Sequence, residues 1–295
     1  MAASILSFRF FLYFVYAIVL TGVLLYVRFP AEKVKMYCEH RLERVLANGK
    51  ASIAKIDYHF PATVEFRKVK IASRRVSGKS NEIVVERLRL FPKPDGFLTS
   101  WGVGGVFYSG IFEARLEIDL GENIFGLKDI RLEKSDIAAV AAGMSAIERE
   151  IRGELTVTGE YKAKFDQPLA GRGEGSLHLG AGTVQLVRQI LTLDVIDFEE
   201  INMGWEYGDS TFQIIEGKMT GKQLDADFSG TLKPPFFPPL GGLDVSGLLV
   251  PREEFLEDKP QIERLVQRLM KQYKKPAVPF RVGGTLNNPT FRLSV

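Results

Sequence analysis

The sequence predicts a mainly β protein: an N-terminal transmembrane helix, then a large antiparallel, curved or groove-like β-sheet domain with a few short helices. Three observations carry this. Phe10–Val27 has no charged residue. Beyond residue 50 apolar side chains recur at every second position, the period of a strand with one buried face. Gly occurs 28 times in 295 residues, above the usual share of about 7%, and Gly favours turns and bulges over helix interiors.

Arg9 and Arg28 bracket the apolar run, and Thr21 is its one clearly polar residue. About 18 residues rising about 1.5 Å each span about 27 Å, close to the hydrocarbon thickness of a bilayer. Leu24-Leu25-Tyr26-Val27-Arg28-Phe29-Pro30 is a poor cleavage site, which favours an uncleaved anchor over a signal peptide. Tyr13, Tyr16 and Tyr26 suit the membrane interface. Residues 1–9 form a short tail. Lys33, Lys35, Arg41 and Arg44 follow Arg28, so the flanking charges favour a cytoplasmic C-terminal domain, but long domains translocate largely regardless of charge.

Residues 30–48 read as a second, membrane-proximal helix with Val34, Tyr37, Cys38, Arg41, Leu42 and Val45 at spacings of three and four, stopped by Asn48-Gly49. Packing on the sheet is favoured over lying in the interface. Residues 50–295 form the β-rich domain. Its clearest strands are Leu155, Val157, Gly159, Tyr161, Ala163, Phe165; Leu224, Ala226, Phe228, Gly230, Leu232; Ala114–Leu120; and the ending from Phe280, with a turn at Asn287-Asn288-Pro289. Weaker strands read at 64–71, 83–90, 130–134, 176–179, 183–186, 198–206, 211–216 and 243–249. In the first of these the apolar parity shifts between Phe66 and Val69, which predicts a bulge. Turn signals such as Ser77-Gly78, Pro94-Asp95-Gly96, Ala181-Gly182 and Gly208-Asp209-Ser210 imply antiparallel meanders.

Two helical stretches interrupt the strands. Ile137–Arg149 is short and Ala-rich. Residues 258–273 carry an apolar stripe of Ile262, Leu265, Val266, Leu269 and Tyr273, with Asp258 as cap. Arg264, Arg268, Lys271, Lys274 and Lys275 make the opposite side basic. The favoured reading is a solvated face; the sharper one is contact with anionic headgroups or a partner.

No catalytic constellation, cofactor motif or metal site is expected. His40, His59 and His178 share no ligand spacing. Gly171-Arg172-Gly173-Glu174-Gly175 and Gly102-Val103-Gly104-Gly105 lack the helix that phosphate binding needs, and the first reads as a β-turn. A net charge of +3 with dispersed basic residues argues against nucleic acid. One cysteine, Cys38, excludes an intramolecular disulfide; as a small buried hydrophobe it is better explained than as an acylation site. The apolar faces need a cover. They close as a sandwich or barrel, which general frequency favours, or stay open as a groove lined by Leu155, Val157, Tyr161, Phe165, Leu224, Phe228 and Leu286.

The run Leu25-Tyr26-Val27-Arg28-Phe29-Pro30, then Lys33-Val34-Lys35-Met36-Tyr37, resembles the start of the type II secretion system protein N family. Asp197–Ile201, Asp227–Pro235 and Pro279–Pro289 look like that family too, and the closing Gly-Thr-Leu-x-Asn-Pro pattern is similar to the wider AsmA-like group. The resemblance implies a Gram-negative, single-pass inner-membrane protein with a periplasmic β domain, and a curved sheet with an apolar groove. It implies no catalytic residues. The first functional expectation is a non-enzymatic accessory of a type II secretion system, partnered by the bilayer and other secretion proteins. The second is an AsmA-like lipid-binding or lipid-transfer groove protein, partnered by phospholipid.

Overall fold

The computed structural model describes residues 2–46, 49–72, 82–96, 99–143, 150–190, 193–233, 242–257, 259–273, 277–285 and 288–293. Within these it contains α1 (Ala2–Val27), α2 (Ala31–Val45), β1 (Lys50–His59), β2 (Thr63–Ala72), β3 (Glu82–Pro92), β4 (Ser100–Phe107), β5 (Gly110–Asp119), β6 (Ile124–Asp136), α3 (Ile137–Gly143), β7 (Ile151–Arg152) and β8 (Glu154–Lys164). There follow β9 (Arg172–Ile190), β10 (Leu193–Gly208), β11 (Thr211–Gly221), β12 (Leu224–Leu232), β13 (Gly242–Pro251), α4 (Glu253–Glu257), α5 (Pro260–Tyr273), β14 (Val278–Thr285) and β15 (Pro289–Leu293).

All 15 strands belong to one open antiparallel sheet whose spatial order is the chain order, with β7 a side branch on β9. The expectation of closure is corrected: β1 and β15 are the two ends, and no apolar cluster joins β1–β3 to β12–β15 among the described residues. Successive strands about 4.8 Å apart place those ends roughly 60 Å from each other along the sheet. The local chemistry explains the meander. Tyr108-Ser109 and Asp209-Ser210 both take positive φ at both positions, the geometry whose twist matches a two-residue hairpin.

The predicted bulge is not found, because no residue is inserted there. Lys68 has φ 48°, but the register is unshifted across it, from Arg67↔Arg87 to Val69↔Val85. The ladder to β1 is likewise in register, with Ile53 facing Val69 and Lys55 facing Arg67; the apolar parity changes at this left-handed residue without a bulge. Asp129 and Lys134, also at positive φ, mark two bulges in β6.

Two glycine segments differ from the sequence reading. Gly173 and Gly175 lie inside β9, and Ala181-Gly182 does not turn: β9 runs unbroken for 19 residues. Gly182 lies against Arg152 and the Phe198 ring, where an added Cβ would approach the ring to 2.8 Å. The glycine therefore makes room and does not reverse the chain. Gly102, Gly104 and Gly105 likewise belong to β4.

The helix α1 begins at Ala2 and includes the expected tail. Its described large apolar side chains, from Phe10 to Tyr26, are exposed. Counted over the described side chains alone, no helix is long and apolar enough to cross a membrane. α2 lies on β1, as expected of a helix packed on the sheet. Asn48, Asp258, Ser77-Gly78 and residues 144–149 lie outside the described residues.

Candidate functional site

Antiparallel register places directly paired residues on the same face. Traced through the ladders, one face is apolar from end to end. Ile56 pairs with Phe66 and Phe66 with Leu88. Val103 pairs with Ala114, Leu116 with Leu127 and Leu127 with Tyr161. Val157 pairs with Leu177, Leu177 with Met203, and Trp205 with Ile214. Ala226 pairs with Leu249 and Leu249 with Val278.

Helices cover the two ends of this face. At the first, Val34, Cys38 and Leu42 of α2 pack on Ile53, Ile56 and Val69. Burial, then the neighbouring Glu39 charge, push the Cys38 thiol above its ordinary value, so it is a poor nucleophile there. At the far end Ile262, Val266 and Leu269 of α5 pack on Val278, and Phe255 of α4 joins Leu224, Leu249 and Phe280. In the middle, α3 touches β3 and β7 and contributes Ile137 to the cluster of Leu132, Leu155, Leu179 and Phe198. Among the described residues no helix packs on the rest of the β4–β11 face.

The centre of that stretch is built around Trp205. Its ring lies on a glycine shelf: a Cβ on Gly159 would stand 2.7 Å from Cζ2, and one on Gly175 2.8 Å. Trp205 also meets Phe212 edge-on at 5.8 Å, and Tyr207 links Phe212 to Tyr161. The segment after β8 folds over this aromatic row. Tyr161 donates to the Pro168 carbonyl at 2.7 Å, Tyr207 to the Leu169 carbonyl at 2.7 Å, and Phe165 rests on Phe125. Burial raises the pKa of both tyrosines. The Trp205 N–H, by contrast, is buried with no hydrogen-bond partner among the described residues, a costly state for an indole donor.

The other face is charged. Glu65 is 1% exposed, yet it accepts from Arg67 Nε at 2.7 Å and Arg89 Nε at 2.6 Å, with Arg87 3.9 Å away. Burial pushes its carboxyl up, and the two guanidinium groups more than offset this, leaving it below the ordinary carboxylate range. Farther along, a cleft of about 900 Å³ is lined by Arg115, Glu117, Lys128, Glu160, Lys162, Arg172 and Glu174. Its lining also includes Asp95, Asp119 and Glu206, so six acidic side chains meet four basic ones there, with Lys128 paired to Glu117 at 2.8 Å. His178 lies on this polar face, 2.7 Å from Asn202. Among the described residues no cluster of three metal-ligating side chains occurs.

The sequence-predicted residues divide accordingly. Val157, Tyr161 and Phe228 lie half-buried on the apolar face, and Phe165 packs at its rim. Leu155 and Leu224 are fully buried in packed clusters and do not line open surface. Arg264, Arg268 and Lys271 are exposed on α5. Leu286, Lys274 and Lys275 lie outside the described residues. Sequence reasoning missed Trp205 and Glu65. Three alternate glycines on two adjacent strands, Gly159, Gly173 and Gly175, were the available signal for a large ring above them. Comparison with protein-family models, with curated proteins and with solved structures gave no match.

Proposed function

We propose that this protein is a membrane-anchored, non-enzymatic lipid-handling sheet of the Gram-negative envelope. α1 is its anchor, the sheet stands on the periplasmic side, and acyl chains lie on the apolar face. The carrying observation is the apolar face itself. It crosses the whole sheet, and over much of β4–β11 no described helix covers it. Its side chains there, Leu177, Met203 and Trp205 among them, are half-buried with no described helix above them, and contiguous apolar surface of this kind marks a ligand or partner site. The half-buried, flexible or aromatic side chains Met203, Trp205 and Leu177 suit chains of variable shape. The apolar sequence of Phe10–Val27 and the outward-facing aromatics of α1 support the anchor.

The test uses the full chain carrying Trp101→Phe, which leaves Trp205 as the only indole. Reconstitution with phospholipids brominated on their acyl chains should quench Trp205 emission relative to unbrominated lipid. Equal emission in the two would overturn the reading.

A second reading, an accessory of a type II secretion complex, draws on the outer edge of β15, which pairs with β14 alone among the described strands. Such an edge can accept a partner strand. A photo-crosslinker at Arg292 that captures a secretion component, together with no quenching of Trp205, would favour it.

A further inference from the structure

The turn between β1 and β2 touches α1 well inside its apolar stretch. A Cβ added to Gly22 would lie 3.3 Å from Cε2 of Phe60. Gly22 precedes Arg28 by six residues, about 9 Å along the helix axis. The contact is not a loose tether meeting a helix by chance. Phe29 stacks on Tyr58 at 5.2 Å between ring centroids, and α2 locks onto β1 and β2 through Val34, Cys38 and Leu42. The turn is therefore held at a fixed depth along α1.

Its chemistry fits that depth. Phe60-Pro61-Ala62-Thr63 carries no charge, and Phe60 is 66% exposed, which a water-facing turn has no need of. The ion pairs of these strands, Lys55 with Asp57 and Arg67 with Glu65, sit farther back along the strands. Beside Gly22 on the helix, Val19 and Val23 are exposed and apolar.

We propose that the β1–β2 turn, led by Phe60, is inserted among the lipid acyl chains of the leaflet that surrounds the C-terminal third of α1. The first strand of the sheet then rises directly out of the bilayer, and its apolar face is continuous with the hydrocarbon. This rests on α1 being a membrane anchor, and the experiment separates the two claims.

The full chain with Cys38→Ser is given one new cysteine and labelled with an environment-sensitive nitrobenzoxadiazole probe. The positions are Phe60→Cys, Val19→Cys in the anchor, and Ser246→Cys on the exposed polar face of β13. Each is reconstituted into phosphatidylethanolamine–phosphatidylglycerol vesicles with and without doxyl-labelled acyl chains. The Phe60 probe should be blue-shifted and quenched several-fold more than the Ser246 probe, approaching the Val19 probe. Quenching at Val19 with Phe60 no more quenched than Ser246 would overturn the insertion and leave the anchor standing. Absence of quenching at Val19 as well would remove the anchor, and this proposal with it.

Discussion

Phe228 lies over Gly217 on the apolar face, and this pair gives a test of how that face is built. The two residues are directly opposed in the β11–β12 ladder. A Cβ at Gly217 would lie within 2.6 Å of three Phe228 ring carbons, and its three nearest neighbours are all in that ring. Gly217 is not among the glycines at positive φ, which are Gly153, Gly230 and Gly284. Gly217→Ala therefore strains the side-chain packing and not the backbone. Forcing the ring aside should cost about 1–3 kcal/mol. Phe228→Ala, at a half-buried site, should cost about 2 kcal/mol, below the ~3–5 of a fully buried ring. In the double variant the new methyl enters the space the ring has left. The two effects should then fall short of additivity by about 1 kcal/mol or more. Near-UV circular dichroism melts in one detergent would read this as midpoint shifts of about 2–4 °C per kcal/mol. Additivity within about 0.5 kcal/mol would mean that the ring does not rest on Gly217, and the close-packed apolar face would be wrong there.

Three further outcomes follow from other sites. Glu65→Gln should lower stability by about 2–3 kcal/mol, because it weakens two charge-assisted hydrogen bonds in a buried position. The folded Glu65 pKa lies below its unfolded value of about 4.3, so its contribution is present above that value and is lost as pH falls through the folded pKa. Acid melts of the Gln variant should lack this component; an unchanged acid dependence would refute the network. Val266→Asp, at a position with 0% exposure, should cost about 3 kcal/mol or more and speed amide exchange in α5 and β14 while β1–β3 stay protected. Trp205→Phe removes the unpartnered N–H at the cost of some buried area, so stability should stay within about 1 kcal/mol of the parent. A loss above about 3 kcal/mol would show that the indole donor is bonded.

The period-two signal finds strands wherever the pleat is regular. Glu154–Lys164 and Leu224–Leu232 are such cases. β1 escapes it because its apolar parity changes between Ile53 and Ile56, beside Ala54, opposite the left-handed Lys68 of β2. β4 escapes it because Gly102, Gly104 and Gly105 erase the alternation, although Gly102 is glycine so that the Phe91 ring can lie on it. The split of β9 at Ala181-Gly182 has the same origin: glycine signals a turn in the sequence where in the fold it makes space. Openness is not legible, since alternation states that one face is apolar and not what covers it. Glu65 is hidden for a different reason. Its Arg89 partner is 24 residues away, and only register brings them together. Parity alone assigns Leu155 and Leu224 to the groove, whereas their burial is set by α3, α4 and the far ends of their strands.

Because chain order equals spatial order, position in the sequence measures distance from α1 along the sheet. The exposed cations Arg264, Arg268 and Lys271 of α5 therefore belong to the end farthest from α1, roughly 60 Å away by strand count. If α1 is the proposed anchor, a sheet rising out of the bilayer keeps them beyond the reach of that membrane, since a surface potential fades within a Debye length of about 8 Å. A sheet lying flat would bring them onto it, each basic residue then contributing about 1 kcal/mol with anionic lipid. A probe at Gln267→Cys, in the Cys38→Ser chain, distinguishes these arrangements. Its emission should be the same in neutral and in anionic proteoliposomes. A blue shift confined to anionic vesicles, abolished by charge reversal at Arg264, Arg268 and Lys271, would mean that the sheet lies along the surface and that the basic stripe is a second membrane contact.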